Sequence, residues 1–127
     1  MNNRSEQLNF FNERLEVCSE SPMTGYNRNG KCETNAIDLG SHLICATVTK
    51  RFLEYTKSMG NDLSTPRPNF RFPGLKDGDN WCLCVSRWVQ AQKAGVAPPV
   101  VLRATNKKAL PYLQNQGLGI EDLENNN

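Results

Sequence analysis

Apolar residues recur along this chain in short bursts separated by polar turns, and the spacing within each burst predicts a different element. Leu8, Phe11 and Leu15 fall near helical intervals, so a helix is expected within 8–17. From Cys18 to Gly40 the pattern dissolves into Ser, Thr, Asn and Gly. Pro22-Met-Thr-Gly25 and Asn27-Arg-Asn-Gly30 carry turn chemistry there, which predicts irregular or hairpin structure. Leu43-Ile-Cys-Ala-Thr-Val48 is rich enough in β-branched residues for a buried strand. Thr49 is then placed to cap a helix through Met59 that Gly60 closes, with Phe52, Tyr55 or Thr56, and Met59 facing the core.

A second unit repeats this order. Asn80 to Val85 reads as a strand, Ser86 as a cap, and Arg87 to Ala94 as a helix stopped by Gly95, its inner stripe being Trp88, Ala91 and Ala94. After Pro98-Pro99, Val100-Val-Leu-Arg-Ala104 predicts a third strand; Thr105 caps a short helical turn that Pro111 breaks. Leu118 to Leu123 is expected to pack as a last turn.

Strands alternating with helices imply an α/β (α+β) class: a two-layer sandwich in which helices cover one face of a small mixed sheet of three or more strands. Side chains alternate along a strand, so Trp81, Leu83 and Val85 share one face and Cys82 and Cys84 the other. If the first two strands are neighbours, Cys45 joins the cysteine face.

Composition narrows the function classes. A chain of 127 residues with 38% hydrophobic and 22% charged residues fits one domain over 1–127, with tails expected at 1–7 and 124–127. A net charge of +2 is too mild for an expected nucleic-acid binder, which takes a clustered basic face. No apolar run approaches the ~20 residues that span a bilayer, and the polar N-terminus carries no apolar signal region. The expectation is a cytoplasmic protein without a membrane partner.

Five cysteines, an odd number with no visible secretory signal, argue for reduced thiols rather than a disulfide framework. Zinc-finger spacing is absent as well. Two chemistries follow from the thiols. Cys45, Cys82 and Cys84 with His42 and Asp38 form a candidate site for zinc or another soft metal, since thiolate and imidazole suit such ions. Alternatively, Cys82 or Cys84 is a reactive thiol with His42, the only histidine, as its base. Against both stands packing, because unpaired cysteines are commonly small buried hydrophobes.

The segment from Gly60 to Asp79 is a long loop for a compact domain, and such loops tend to be binding loops or lids. Asn61, Asp62, Ser64, Thr65 and Arg67 equip it for a polar ligand, with Arg67 the natural partner of a carboxylate or phosphate. Phe70, Phe72 and Leu75 are expected to pin it to the body. Arg87 is a further candidate, for a ligand or as an ion-pair partner of Asp62 or Asp79. This gives a third reading: a non-enzymatic module for a small anionic ligand or a protein partner.

Several unusual strings occur together: Cys18 with Pro22-Met-Thr-Gly-Tyr26 and Arg28-Asn-Gly30, Asp38-Leu-Gly-Ser-His-Leu-Ile-Cys45, Gly60-Asn-Asp-Leu-Ser-Thr-Pro-Arg-Pro68, Phe72-Pro-Gly-Leu-Lys76, Gly78-Asp79, Trp81-Cys-Leu-Cys84, Arg87-Trp88 and Ala94-Gly-Val-Ala-Pro-Pro-Val-Val-Leu102. In these the chain resembles the small bacterial proteins grouped as domain of unknown function 2237. The Gln-containing stretch after Leu113 departs from the pattern. The resemblance implies a small cytosolic α/β domain and draws attention to the Cys, His and loop residues; it implies no substrate or cofactor.

Overall fold

The computed structural model describes residues 7–35 and 41–124. Its regular elements are β1 (His42–Thr47), α1 (Lys50–Ser58), β2 (Asn80–Cys84), α2 (Val85–Lys93), α3 (Ala109–Gln114) and α4 (Ile120–Glu124), with 3-10 turns at Pro68–Phe70 and Leu102–Ala104. The architecture is thus mixed α/β, four helices and a two-stranded antiparallel sheet.

α1 starts and stops where its residues dictate. Thr49 Oγ1 accepts the Phe52 N–H at 3.0 Å, satisfying one of the amides a helix start leaves open. Gly60, at φ +93°, takes the left-handed turn after the last residue. The buried stripe is Phe52, Leu53 and Thr56, whereas Met59 is exposed. α2 follows β2 directly: Val85 is already helical and Cys84 occupies the cap position without a side-chain cap, so Ser86 does not cap it. Trp88 and Ala91 face inward as the spacing requires, while Ala94 is exposed.

β1 and β2 pair with Cys45 opposite Cys82, Ile44 opposite Leu83, and His42 opposite Cys84; a bulge at Leu43 re-aims the start of β1. Ile44 and Leu83 join Phe52, Trp88 and Val89 in the main core. On the other face, Cys45 and Cys82 form a separate buried cluster with Cys18, Cys32 and Ala104.

Three expected elements differ. The third strand contracts to one bridge between Ala46 and Val100, followed by the Leu102–Ala104 turn. Pro99 brings no N–H to a ladder, and the Cys45 N–H is taken by the Thr105 hydroxyl at 3.1 Å rather than by a strand carbonyl. Over 8–17 there is no helix, because the buried Asn9 side chain organises a turn instead. Its Oδ1 accepts from Phe11 N–H at 2.8 Å and Glu13 N–H at 3.1 Å, and its Nδ2 donates to Arg103 O at 3.0 Å. Finally, Pro111 lies inside the first turn of α3, where a missing N–H costs nothing, so it does not break that helix.

Among the described residues, no helix is long and apolar enough to cross a membrane.

Candidate functional site

The cysteine face of the sheet is where the structure departs most from expectation. Cys18 is bonded to Cys45 and Cys32 to Cys82, with Cα–Cα distances of 5.7 and 5.3 Å. The expectation of reduced thiols is therefore corrected for four of the five cysteines. The cause is placement. The Cys45 amide and carbonyl turn toward Thr105 and Val101, and the Cys82 N–H donates to Thr24 Oγ1 at 2.9 Å. Cys45 and Cys82 are thus a non-hydrogen-bonded cross-strand pair with their side chains on one face, over which the turn-rich segment lays Cys18 and Cys32.

This pairing dismantles the expected metal set. Cys45 and Cys82 offer no thiolate while bonded, and Asp38 lies outside the described residues. Cys84, half-buried, is the free cysteine. Its strand partner is His42, whose ring stacks on Tyr26 with centroids 6.1 Å apart. The expectation of a cytoplasmic address also loses a support, since buried disulfides persist where the surroundings are oxidising.

Beside the sheet edge opens a cleft of about 310 Å³. Three segments separated in sequence build it: the 25–28 turn, His42 at the start of β1, and the 62–72 loop, with Trp81 and Cys82 of β2 also lining it. It brings His42, Asp62, Arg67 and Cys82 to one place, whereas Cys84, Asn61, Ser64, Thr65 and Arg87 do not line it. Arg87 instead donates to Met59 O at 3.1 Å and Gln90 Oε1 at 3.3 Å, not to Asp62 or Asp79.

The loop is shaped by its own polar groups. Asp62 accepts from the Thr65 hydroxyl at 2.7 Å and from the Ser64 and Thr65 amides at 2.9 and 3.1 Å, a side-chain turn. The Thr65 hydroxyl first, then the Ser64 amide, hold its carboxyl below the usual carboxylate range. Gly74 closes the loop at φ +82°, where a Cβ would stand 2.4 Å from Ser64 O, so only glycine fits. Phe72 and Leu75 anchor the loop in the core, while Phe70 is 68% exposed and does not pin it.

Among the described residues that line the cleft, the cations Arg28 and Arg67 outnumber the one carboxylate, Asp62. Both Asp62 oxygens are engaged within the loop, and Arg67 makes no ion pair or side-chain hydrogen bond among the described residues. Arg28 donates to Met23 O and Phe70 O at 3.0 and 3.1 Å, which fixes its guanidinium 5.9 Å from the centre of the Trp81 ring. Trp81 in turn meets Phe72 edge-on at 5.2 Å. Sequence reasoning missed Arg28, while Trp81 both packs against the main core and lines the cleft. The signal for Arg28 was its place in a turn directly between two cysteines.

Fold and site define a disulfide-stapled α/β protein with a cationic, aromatic cleft at a sheet edge. A family model described as an uncharacterised protein conserved in bacteria matches residues 8–121, and the chain belongs to that family, domain of unknown function 2237. The match extends past Leu113 into the stretch where the resemblance fades. No curated protein matches the chain.

Proposed function

We propose that this protein is a non-enzymatic binding module whose cleft takes a small anionic ligand with a flat, apolar portion. One observation carries the reading: among the described residues, Arg67 stands without a side-chain partner at a cleft whose one described carboxylate, Asp62, is already hydrogen-bonded within its own loop. Arg67 supplies a planar donor fork for a carboxylate or phosphate, and the fixed Arg28 adds positive charge. Trp81, Phe70 and Phe72 supply the apolar wall that buried ligand surface needs. The thiol reading narrows to Cys84 opposite His42; the binding reading is preferred because three segments shape the cleft, whereas that pair rests on strand register alone.

Adenosine monophosphate and benzoate, two flat anions of different size, are suitable probes. Trp88 is fully buried, so emission changes on titration report Trp81. Saturable quenching by at least one probe is expected, weakened by added salt. Arg67→Ala should reduce affinity about tenfold to a hundredfold, the scale of a lost hydrogen bond to a charged group. Absence of saturation with both probes, or equal affinity in the variant, contradicts the reading.

A further inference from the structure

Four sulfurs are crowded into one small volume beneath the sheet. The Sγ atoms of Cys18, Cys32 and Cys82 all lie within 4.8 Å of one another, and the Cys45 sulfur is bonded to that of Cys18. The two disulfides therefore lie against each other, and their four half-cystines arrive from three separate places: the turn segment, β1 and β2.

We propose that reduction of these two disulfides converts the cluster into a four-thiolate site for a soft divalent ion such as zinc. Tetrahedral zinc with Zn–S bonds of about 2.3 Å sets neighbouring sulfurs about 3.8 Å apart. Opening each disulfide lets its sulfurs separate from about 2 Å to that distance. The Cys18 sulfur closes to it on those of Cys32 and Cys82 from at most 4.8 Å, while the Cys45 sulfur, outside that group, has farther to come. For Cys18, Cys32 and Cys82 these are movements of about 1–2 Å, within reach of side-chain torsions, and the sheet holds Cys45 in register beside Cys82. All four cysteines are 5% exposed or less, which matches the closed character of four-coordinate structural sites.

The set differs from the one expected from sequence: it uses neither His42, Asp38 nor Cys84. It rests on the sulfur cluster and not on the anion-binding reading, although Cys82 belongs to both the cluster and the cleft lining. The reductant is a dithiol, such as dithiothreitol or a protein dithiol. Each disulfide takes two electrons and two protons from one dithiol, which leaves as its own disulfide. The ion then displaces four thiol protons to form four metal–sulfur bonds, so affinity falls steeply with acid.

The test uses the full chain. Protein reduced with dithiothreitol, desalted without oxygen and titrated with Co²⁺ is expected to take up one ion per chain, with the charge-transfer absorption of thiolate ligation. Zn²⁺ then displaces the cobalt. The unreduced protein should show no such absorption. Cys84→Ser, which leaves both disulfides intact, should bind like the wild type, whereas Cys18→Ser should lose a hundredfold or more. With Zn²⁺ bound, iodoacetamide should label Cys84 alone. Should the reduced apo-protein unfold, Zn²⁺ is expected to restore the near-ultraviolet signal of the buried Trp88. Four results would overturn the proposal: no cobalt uptake, no recovery of that signal, loss of binding in Cys84→Ser, or even labelling of all five cysteines with Zn²⁺ present.

Discussion

Replacing Cys32 and Cys82 together by alanine is expected to destabilise the protein by about 4 kcal/mol. The bond spans 50 residues, and closing a loop of that length restricts the unfolded chain by about that amount on the chain-entropy account. The Cys18–Cys45 bond spans 27 residues, which corresponds to about 3.5 kcal/mol. The loops overlap, since Cys32 lies between Cys18 and Cys45, so the two values are not additive. Either alone is a large share of the roughly 5–15 kcal/mol that holds a typical domain together. The double replacement is the cleaner experiment. A single Cys32→Ala change leaves the Cys82 thiol within 4.8 Å of the Cys18 sulfur, close to a disulfide it can attack. Urea denaturation of the oxidised proteins checks the value through a lower midpoint in the variant. Identical midpoints would show that the bond does not hold the N-terminal segment to the sheet.

Trp88→Ala is expected to cost about 3–5 kcal/mol, the range for deleting a large buried aromatic. The side chain is fully buried among the residues of the main core, and its Nε1–H donates to Pro98 O at 3.2 Å. Truncation therefore opens a cavity between α2 and the sheet and orphans a buried carbonyl acceptor at the turn that leads to Val100. Trp88→Phe should lie between the two, since it fills most of the volume and lacks the donor. Thermal unfolding distinguishes the cases: a large drop for alanine and a smaller one for phenylalanine. A loss below about 1 kcal/mol for alanine would mean that Trp88 is not the keystone of this core.

Much of the second half of the fold was legible because local chemistry and tertiary demand agree there. Thr49 and Gly60 bracket α1, and Gly95 follows α2. The alternation along β2 placed Cys82 on the face opposite Leu83 correctly. Where side chains substitute for backbone partners, pattern reading fails: Asn9 replaces an expected helix with a turn, and the Thr105 hydroxyl takes the amide a third strand would have used. The disulfides were hidden for another reason. Neither bond joins neighbours in sequence, and the fifth cysteine made the count odd, so parity pointed away from pairing. The cleft was half visible. Arg67, Asp62 and His42 stand out as residue types, but Arg28 and Trp81 acquire a role only when the turn segment folds over the β2 edge. That folding is what the disulfides enforce.

Two bonds, Cys18–Cys45 and Cys32–Cys82, fasten the turn segment to the sheet, an arrangement that assembles the cleft. It is tested most directly by alkylating the native, unreduced protein and mapping its peptides by mass spectrometry without reduction. Label is expected on Cys84 alone, with Cys18 linked to Cys45 and Cys32 linked to Cys82. Label on all five cysteines, or a bond joining any other pair, would contradict it.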